Sequence, residues 1–305
     1  MVSIQRFIEA FSYGSILLCI LACGNPEPLD ESIDTASDTG AANNGDIIID
    51  AGDLSKSICK DVGTGGREMR TRYDVATIPV AGTEKTYILH TNWWFEFDGQ
   101  TVMYDGLSFT IGNPNNVDVG PAVGAPAGYP SIFIGSYSGH RSKESNLPIK
   151  VSNIDSVPTV FNTNGTKGGL ENKNAAYDVW FTATGDILPS GQYNPGAGGA
   201  FLMVWMFDPP DRQPRGQNAH PGHPVEGIEG SWDVWVHNTD PVCISYVSTT
   251  PLDDMEFDLN HFIRDAVENE YGITDEMYLS VIFAGFEIWG GANGLKLQRF
   301  CAEVE

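Results

Sequence analysis

Ala176-Tyr177-Asp178-Val179-Trp180-Phe181 and, further along, Phe201-Leu202-Met203-Val204-Trp205 decide the fold class. Both runs are too short for independent helices, are rich in β-branched and aromatic residues, and lie between Gly, Pro, Asn and Asp clusters, which makes them strands. The same reading holds for Thr86-Tyr87-Ile88-Leu89-His90, Leu107-Ser108-Phe109-Thr110-Ile111, Trp232-Asp233-Val234-Trp235-Val236 and Leu279-Ser280-Val281-Ile282-Phe283. Short strands separated by turn signals predict an antiparallel sandwich, because βαβ units would need a helical pattern between them. One helix interrupts the series, over about Leu259 to Glu268. Its apolar residues Leu259, Phe262, Ile263, Ala266 and Val267 recur at helical spacing, and Gly272 lies just beyond its end. The composition agrees: 34 Gly, 18 Pro and only 19% charged residues in 305 imply many turns and few long helices. An all-β domain with one packed α-helix is expected.

Charge and cysteine content exclude other classes. With 17 Lys+Arg against 40 Asp+Glu, the formal charge of -23 is incompatible with gripping phosphate backbones, so no nucleic-acid partner is expected. A chain that is 41% hydrophobic and 11% aromatic is not disordered as a whole. Five cysteines in this length cannot be the main framework of the fold.

The beginning of the sequence reads as an address. Arg6 precedes a mostly apolar run from Phe7 to Ala22, whose densest part, Ile16 to Ala22, is short for a membrane span. Ala22 before Cys23 resembles the lipobox of bacterial lipoproteins. Residues 1–22 are therefore expected to be a signal peptide, with Cys23 lipidated and anchoring the chain in a membrane. Gly24 follows instead of Asp, which points to an outer-membrane or cell-surface lipoprotein of a bacterium. Residues 23–56 form an acidic, disordered tether: Glu27, Asp30, Glu31, Asp34, Asp38, Asp46, Asp50 and Asp53 precede the first cation, Lys56. The folded domain is expected over 57–305, as a monomer.

Once Cys19 leaves and Cys23 is lipidated, Cys59, Cys243 and Cys301 remain, allowing one disulfide in any of three pairings and one free thiol. No C-x-x-C occurs. His220 and His223 have an H-x-x-H spacing, with His237 downstream, but a Pro/Gly-rich loop cannot set them on one helical face and no Glu lies between them. Neither a metal nor a cofactor is expected.

The chemistry points to aromatic surfaces and isolated carboxyls. Trp93, Trp94, Trp180, Trp205, Trp232, Trp235 and Trp289 fall in or beside strand-like runs, and those not needed for the core can line a face on which sugar rings stack. Glu287 sits between Phe286 and Ile288, and Asp178 between Tyr177 and Val179. A carboxyl in such surroundings has its pKa raised, as a general acid working near neutral pH requires.

These residues resemble glycoside hydrolase family 12, the retaining endo-β-1,4-glucanases and xyloglucanases. Ala284-Gly285-Phe286-Glu287-Ile288-Trp289 is similar to that family's A-G-F-E-P-W segment, which carries the acid/base Glu. Ala176-Tyr177-Asp178-Val179-Trp180 resembles A-S-Y-D-I-W, the run Tyr87 to Trp94 resembles Y-I-V-Q-N-N-x-W, and Gln213-Pro214-Arg215-Gly216 resembles Q-P-I-G. Tyr129 to Ile132, Asn146-Leu147-Pro148, Ile58-Cys59 and the helix region from Phe257 to Asp265 extend the similarity over about Ser57 to Val304. The resemblance implies a concanavalin-like β-jelly-roll sandwich with a concave groove and a β-glucan as partner. It implies catalytic roles for Glu287 and Asp178, and substrate contacts from Asn92, Trp94, Phe201, Met203, Trp205 and Trp235.

One departure bears on function. The family's nucleophile is the Glu heading the strand E-I/L-M-I-W, and Phe201 stands there. A phenyl ring can neither form the glycosyl ester nor stabilise positive charge. The family's partner for the first cysteine is also replaced, by Thr101 after Gln100, leaving Cys301 or Cys243 for Cys59. The leading expectation is β-glucan recognition with impaired hydrolysis. The alternatives are an active endo-β-glucanase, with Glu287 as acid and a relocated base at Asp178 or Asp233, and a jelly-roll module that binds a protein.

Overall fold

The computed structural model describes residues 58–59, 66–94, 98–116 and 124–305. The segments expected to be a signal peptide, a lipidated Cys23 and an acidic tether lie outside the described residues. In chain order the strands are β1 (Arg67–Met69), β2 (Val75–Pro79), β3 (Thr86–His90), β4 (Thr101–Asp105), β5 (Ser108–Gly112) and β6 (Ser131–Tyr137). They continue as β7 (His140–Arg141), β8 (Ile149–Lys150), β9 (Pro158–Thr163), β10 (Lys173–Thr182), β11 (Ala200–Trp205) and β12 (Gln217–His223). After β13 (Trp232–His237), β14 (Val242–Ser248) and β15 (Asp254–Asp258) comes the helix α1 (Asn260–Glu268), followed by β16 (Tyr278–Ile288) and β17 (Lys296–Ala302).

These strands make the expected two-sheet sandwich with one helix. The smaller sheet runs β1-β4-β5-β17-β9-β15, and the larger β12-β13-β14-β11-β10-β16-β6-β3-β2, with β7 on β6 and β8 on β16. Strand alternation divides each long strand of the larger sheet between two environments. On β10, Ala175, Tyr177, Val179 and Phe181 enter the core, leaving Asn174, Ala176, Asp178 and Trp180 on the opposite face. On β11, Leu202 and Val204 face the core, whereas Phe201, Met203 and Trp205 share the outer face with Asp178. Contacts across the sandwich include Phe161 of β9 against Tyr177 at 5.3 Å between ring centroids, and Thr159 Oγ1 hydrogen-bonded to the Tyr177 hydroxyl at 2.8 Å.

The helix covers the β13–β14 side of the core. Phe262 meets Trp232 at 4.9 Å and Tyr246 at 5.0 Å. The Asp258 carboxylate accepts the Val157 and Asn260 backbone N–H groups at 2.7 and 2.9 Å, tying the start of the helix to β9. Cys59 bonds to Cys301, with Cα atoms 5.4 Å apart, and among the described residues Cys243 is a buried free thiol. The segment holding His220 and His223 is a strand, β12, and not the loop that its Pro and Gly suggested. It pairs with β13 through two register shifts, which is how an edge strand takes in Pro221 and Gly222.

Candidate active-site groove

Three central strands place two carboxyls on the outer face of the larger sheet. Asn174 of β10 stands opposite Glu287 of β16, and Asp178 stands between Phe283 of β16 and Met203 of β11. Gly285 separates Phe283 from Glu287 on this face. A Cβ there would come within 2.4 Å of Pro130 O and Ser131 Cβ, so only glycine lets β16 lie this close to β6.

Glu287 is 2% exposed and Asp178 7%. Burial pushes Glu287 up to about 8; the Asn174 side-chain N–H, donating to Oε2 at 3.1 Å, pulls it back, and the nearby Asp178 charge adds to the rise. Burial likewise lifts Asp178 to about 7. The Trp180 indole, two residues along the same face, lowers it without closing a hydrogen bond: Asp178 Oδ1 and Trp180 Nε1 both lack a partner. Asn174 Oδ1, Trp205 Nε1 and Ser245 Oγ on this face are also buried and unpartnered.

Aromatic rings flank the carboxyls on both sides. Toward one end of these strands, Phe133, Tyr137, Trp180, Phe201 and Phe283 form a cluster, and His90 stacks on Phe283 at 5.6 Å. Burial holds His90 neutral, lowering it to about 3, while its Nε2 bonds Ser131 Oγ at 2.6 Å. Phe201 is 2% exposed and meets Trp180 edge-on at 5.2 Å, in a cluster that also takes in Leu188 from the β10–β11 connection. Toward the other end, Met203, Trp205, Val247 and Trp289 form a second cluster with the partly exposed Trp235.

A recess opens at the β2–β3 edge. It is lined by Tyr73, Val75, His90, Asn92, Trp94 and Tyr137, among others. The Trp94 indole N–H donates to Asn92 Oδ1 at 2.8 Å, and Asn92 Nδ2 reaches Tyr129 O at 3.4 Å. Both ends of the Asn92 amide are therefore engaged within the protein, and its position at φ +48, a left-handed conformation that asparagine tolerates, sets the Trp94 ring.

The family model described as Glycosyl hydrolase family 12 matches residues 85–305. The chain belongs to glycosyl hydrolase family 12. Among relatives, Endoglucanase S of Pectobacterium parmentieri is 26% identical over 192 residues, covering 58% of this chain and 66% of that protein. The probable cellulase Cel12b of Mycobacterium tuberculosis is 32% identical over 164 residues, covering 52% and 98%. The solved endoglucanase cel12A from Rhodothermus marinus superposes with a TM-score of 0.66 at 32% identity, covering 78% of this chain and 99% of that one.

Within this family-12 fold, the structure gathers Glu287, Asp178, Phe201, Met203, Trp205 and Trp235 on one sheet face, with Asn92 and Trp94 at its edge. Of the tryptophans, Trp93 and Trp232 belong to the sandwich core. Sequence reasoning passed over Asn174, the hydrogen-bond partner of Glu287. Its signal was present, since it precedes Asp178 by four residues and alternation sets both on one face. Among the described residues, no group of three or more His, Cys, Asp or Glu could hold a metal ion.

Proposed function

We propose that the protein is an endo-acting β-1,4-glucan hydrolase whose substrate lies across the concave face, with Glu287 as proton donor. The observation that carries this reading is the burial of Glu287 on an aromatic-lined groove face, which keeps it protonated at neutral pH. The names of the relatives, endoglucanase and cellulase, support a β-1,4-glucan as the polymer.

Phe201 heads the strand that matches the family's E-I/L-M-I-W, so we infer that the covalent route is lost and that Asp178 acts as base. Asp178 takes a proton from a water, whose oxygen attacks the anomeric carbon. The glycosidic C–O bond breaks as Glu287 protonates the departing oxygen, and the configuration inverts. The Asp178 charge raises Glu287 across this face, and an inverting pair, at about 6.5–9.5 Å, leaves room for a water between the two carboxyls. Asp233 is less suited, because its Oδ1 already accepts the Gly222 N–H at 2.8 Å. The test is release of reducing ends from mixed-linkage glucan, xyloglucan and carboxymethyl cellulose, with the first-formed anomer read by proton NMR. Inverted product, abolished by Glu287→Gln and by Asp178→Asn, is expected. Retained product would refute the relocated base.

A second reading, glucan binding with hydrolysis impaired, is favoured by the burial of Phe201 against Trp180. It predicts retention on glucan gels with no reducing ends above the Glu287→Gln background. We further propose that the chain is exported and anchored through a lipid on Cys23. Cys23→Ser is expected to release it from the membrane fraction or block its processing, and a normally cleaved, membrane-bound variant would contradict the anchor.

A further inference from the structure

Gln213-Pro214-Arg215-Gly216 leads into β12 at the far end of the groove from Trp94. Gly216 has φ +104, and a Cβ there would come within 2.3 Å of Val236 O and 2.8 Å of His237 N, so this segment lies directly against β13. Arg215 is thereby held beside His237. In register, His237 stands opposite Cys243, and Cys243 opposite Phe201. Alternation then sets His237 on the groove face, two residues from Trp235.

The polar atoms here are poorly matched within the protein. Arg215 Nη2 donates to Thr239 Oγ1 at 3.2 Å, but Nε and Nη1 are buried without a partner, and so is His237 Nε2. No ion pair among the described residues includes Arg215. Asp240, next to Thr239, makes no ion pair with Arg215, and its Oδ1 accepts the Gly198 N–H at 2.7 Å. The guanidinium still acts on His237, whose pKa is lowered first by burial and then by the Arg215 charge. Leaving buried guanidinium N–H groups unpaired is costly, and more so than leaving a neutral donor. An apolar residue stands at this place in the Q-P-I-G pattern, so the fold itself does not require the cation.

We propose that Arg215 and His237 form a carboxylate-binding subsite on the groove floor beside Trp235, which seats an acidic substituent of the glucan chain such as a uronic acid. The proposal rests on the glucan-binding reading. One carboxylate oxygen takes an Arg215 N–H and the other takes His237 Nε2, protonated on that nitrogen, both as charge-assisted bonds. A net charge of -23 would by itself repel an acidic polymer, so a preference for one has to come from a local cation.

The test titrates Glu287→Gln protein, which leaves the polymers intact, with carboxymethyl cellulose and with neutral hydroxyethyl cellulose of matched chain length. Calorimetry at low salt should show the carboxylated polymer bound about tenfold more tightly, the size of effect expected for one desolvated charge contact. High salt, Arg215→Gln and His237→Ala should each erase that preference while neutral-polymer affinity stays unchanged. Equal affinity for the two polymers would overturn the subsite, and so would an equal loss on both in the Arg215 and His237 variants. Binding of neither polymer would overturn the glucan reading along with it.

Discussion

Glu287 occupies a position where function and stability oppose each other. An unfolded glutamate titrates near 4.3, whereas the folded one is raised to about 8. The native state therefore holds more protons than the unfolded state across this interval, and stability is lost as pH rises from about 4 to about 8. Glu287→Gln removes that liability and keeps an acceptor for Asn174, so the variant should melt higher than wild type at pH 8. The gain should be at least about 1 kcal/mol, as a shift of one unit carries about 1.4 kcal/mol. Near pH 4 the two proteins should converge, and a gap that persists there would argue against a buried, protonated Glu287. The same two groups set the pH profile: activity should rise as Asp178 ionises near 7 and fall as Glu287 ionises near 8. Both limbs belong to the coupled pair. Phe201→Glu tests the other inferred departure. A carboxylate in place of a buried ring packed on Trp180 should cost a few kcal/mol near neutral pH, measurable by urea unfolding. If the nucleophile's place is thereby refilled, any glucanase activity gained should proceed with retention and vanish when Glu287→Gln is added. Much of this site was legible in the sequence, because a carboxyl set among aromatics announces its own burial. Arg215 and His237 were not, since their pairing depends on how Gly216 brings β12 against β13.

At the scale of elements, α1 and β12 show what local patterns can and cannot specify. The helix starts within one residue of its sequence expectation, because its apolar stripe has a face of the core to cover and Gly272 follows its end. The strand β12 escaped notice because Pro221 and Gly222 are turn residues by intrinsic preference. Pairing with β13 overrides that preference at a sheet edge, where missing ladder bonds cost little. A second tie comes from α1: Asp265 accepts from the Tyr246 hydroxyl at 2.6 Å and bonds His223 Nε2 at 2.8 Å. Asp265→Ala would leave the Tyr246 hydroxyl without its acceptor and release His223. A loss of about 1–3 kcal/mol in urea unfolding is expected, with faster amide exchange along β12 than in wild type. Unchanged exchange along β12 would show that β13 alone holds the edge.

Over the whole molecule, the chain ends of the folded domain are joined by the Cys59–Cys301 bond, which closes a loop with a sequence separation of 242. Sequence left three pairings open, because the partner is chosen by the position of β17 in the smaller sheet and not by spacing along the chain. Cys301 lies on β17 opposite Val160 of β9, so the bond fastens the segment before β1 to the interior of the sandwich. Tyr87 reinforces the same seam from the larger sheet, exchanging hydrogen bonds with the backbone of Ala302 at 3.2 Å. A cross-link acts mainly by restricting the unfolded chain, and its effect grows only slowly with loop length. Cys301→Ala together with Cys59→Ala should therefore lower unfolding stability by about 2–5 kcal/mol, the usual range for a native disulfide. The groove lies on the opposite face of the larger sheet from this seam. Binding of neutral glucan at temperatures well below the melting point should accordingly be unchanged in the double variant. A loss of glucan binding without loss of stability would mean that the seam shapes the groove and does not merely hold the two sheets together.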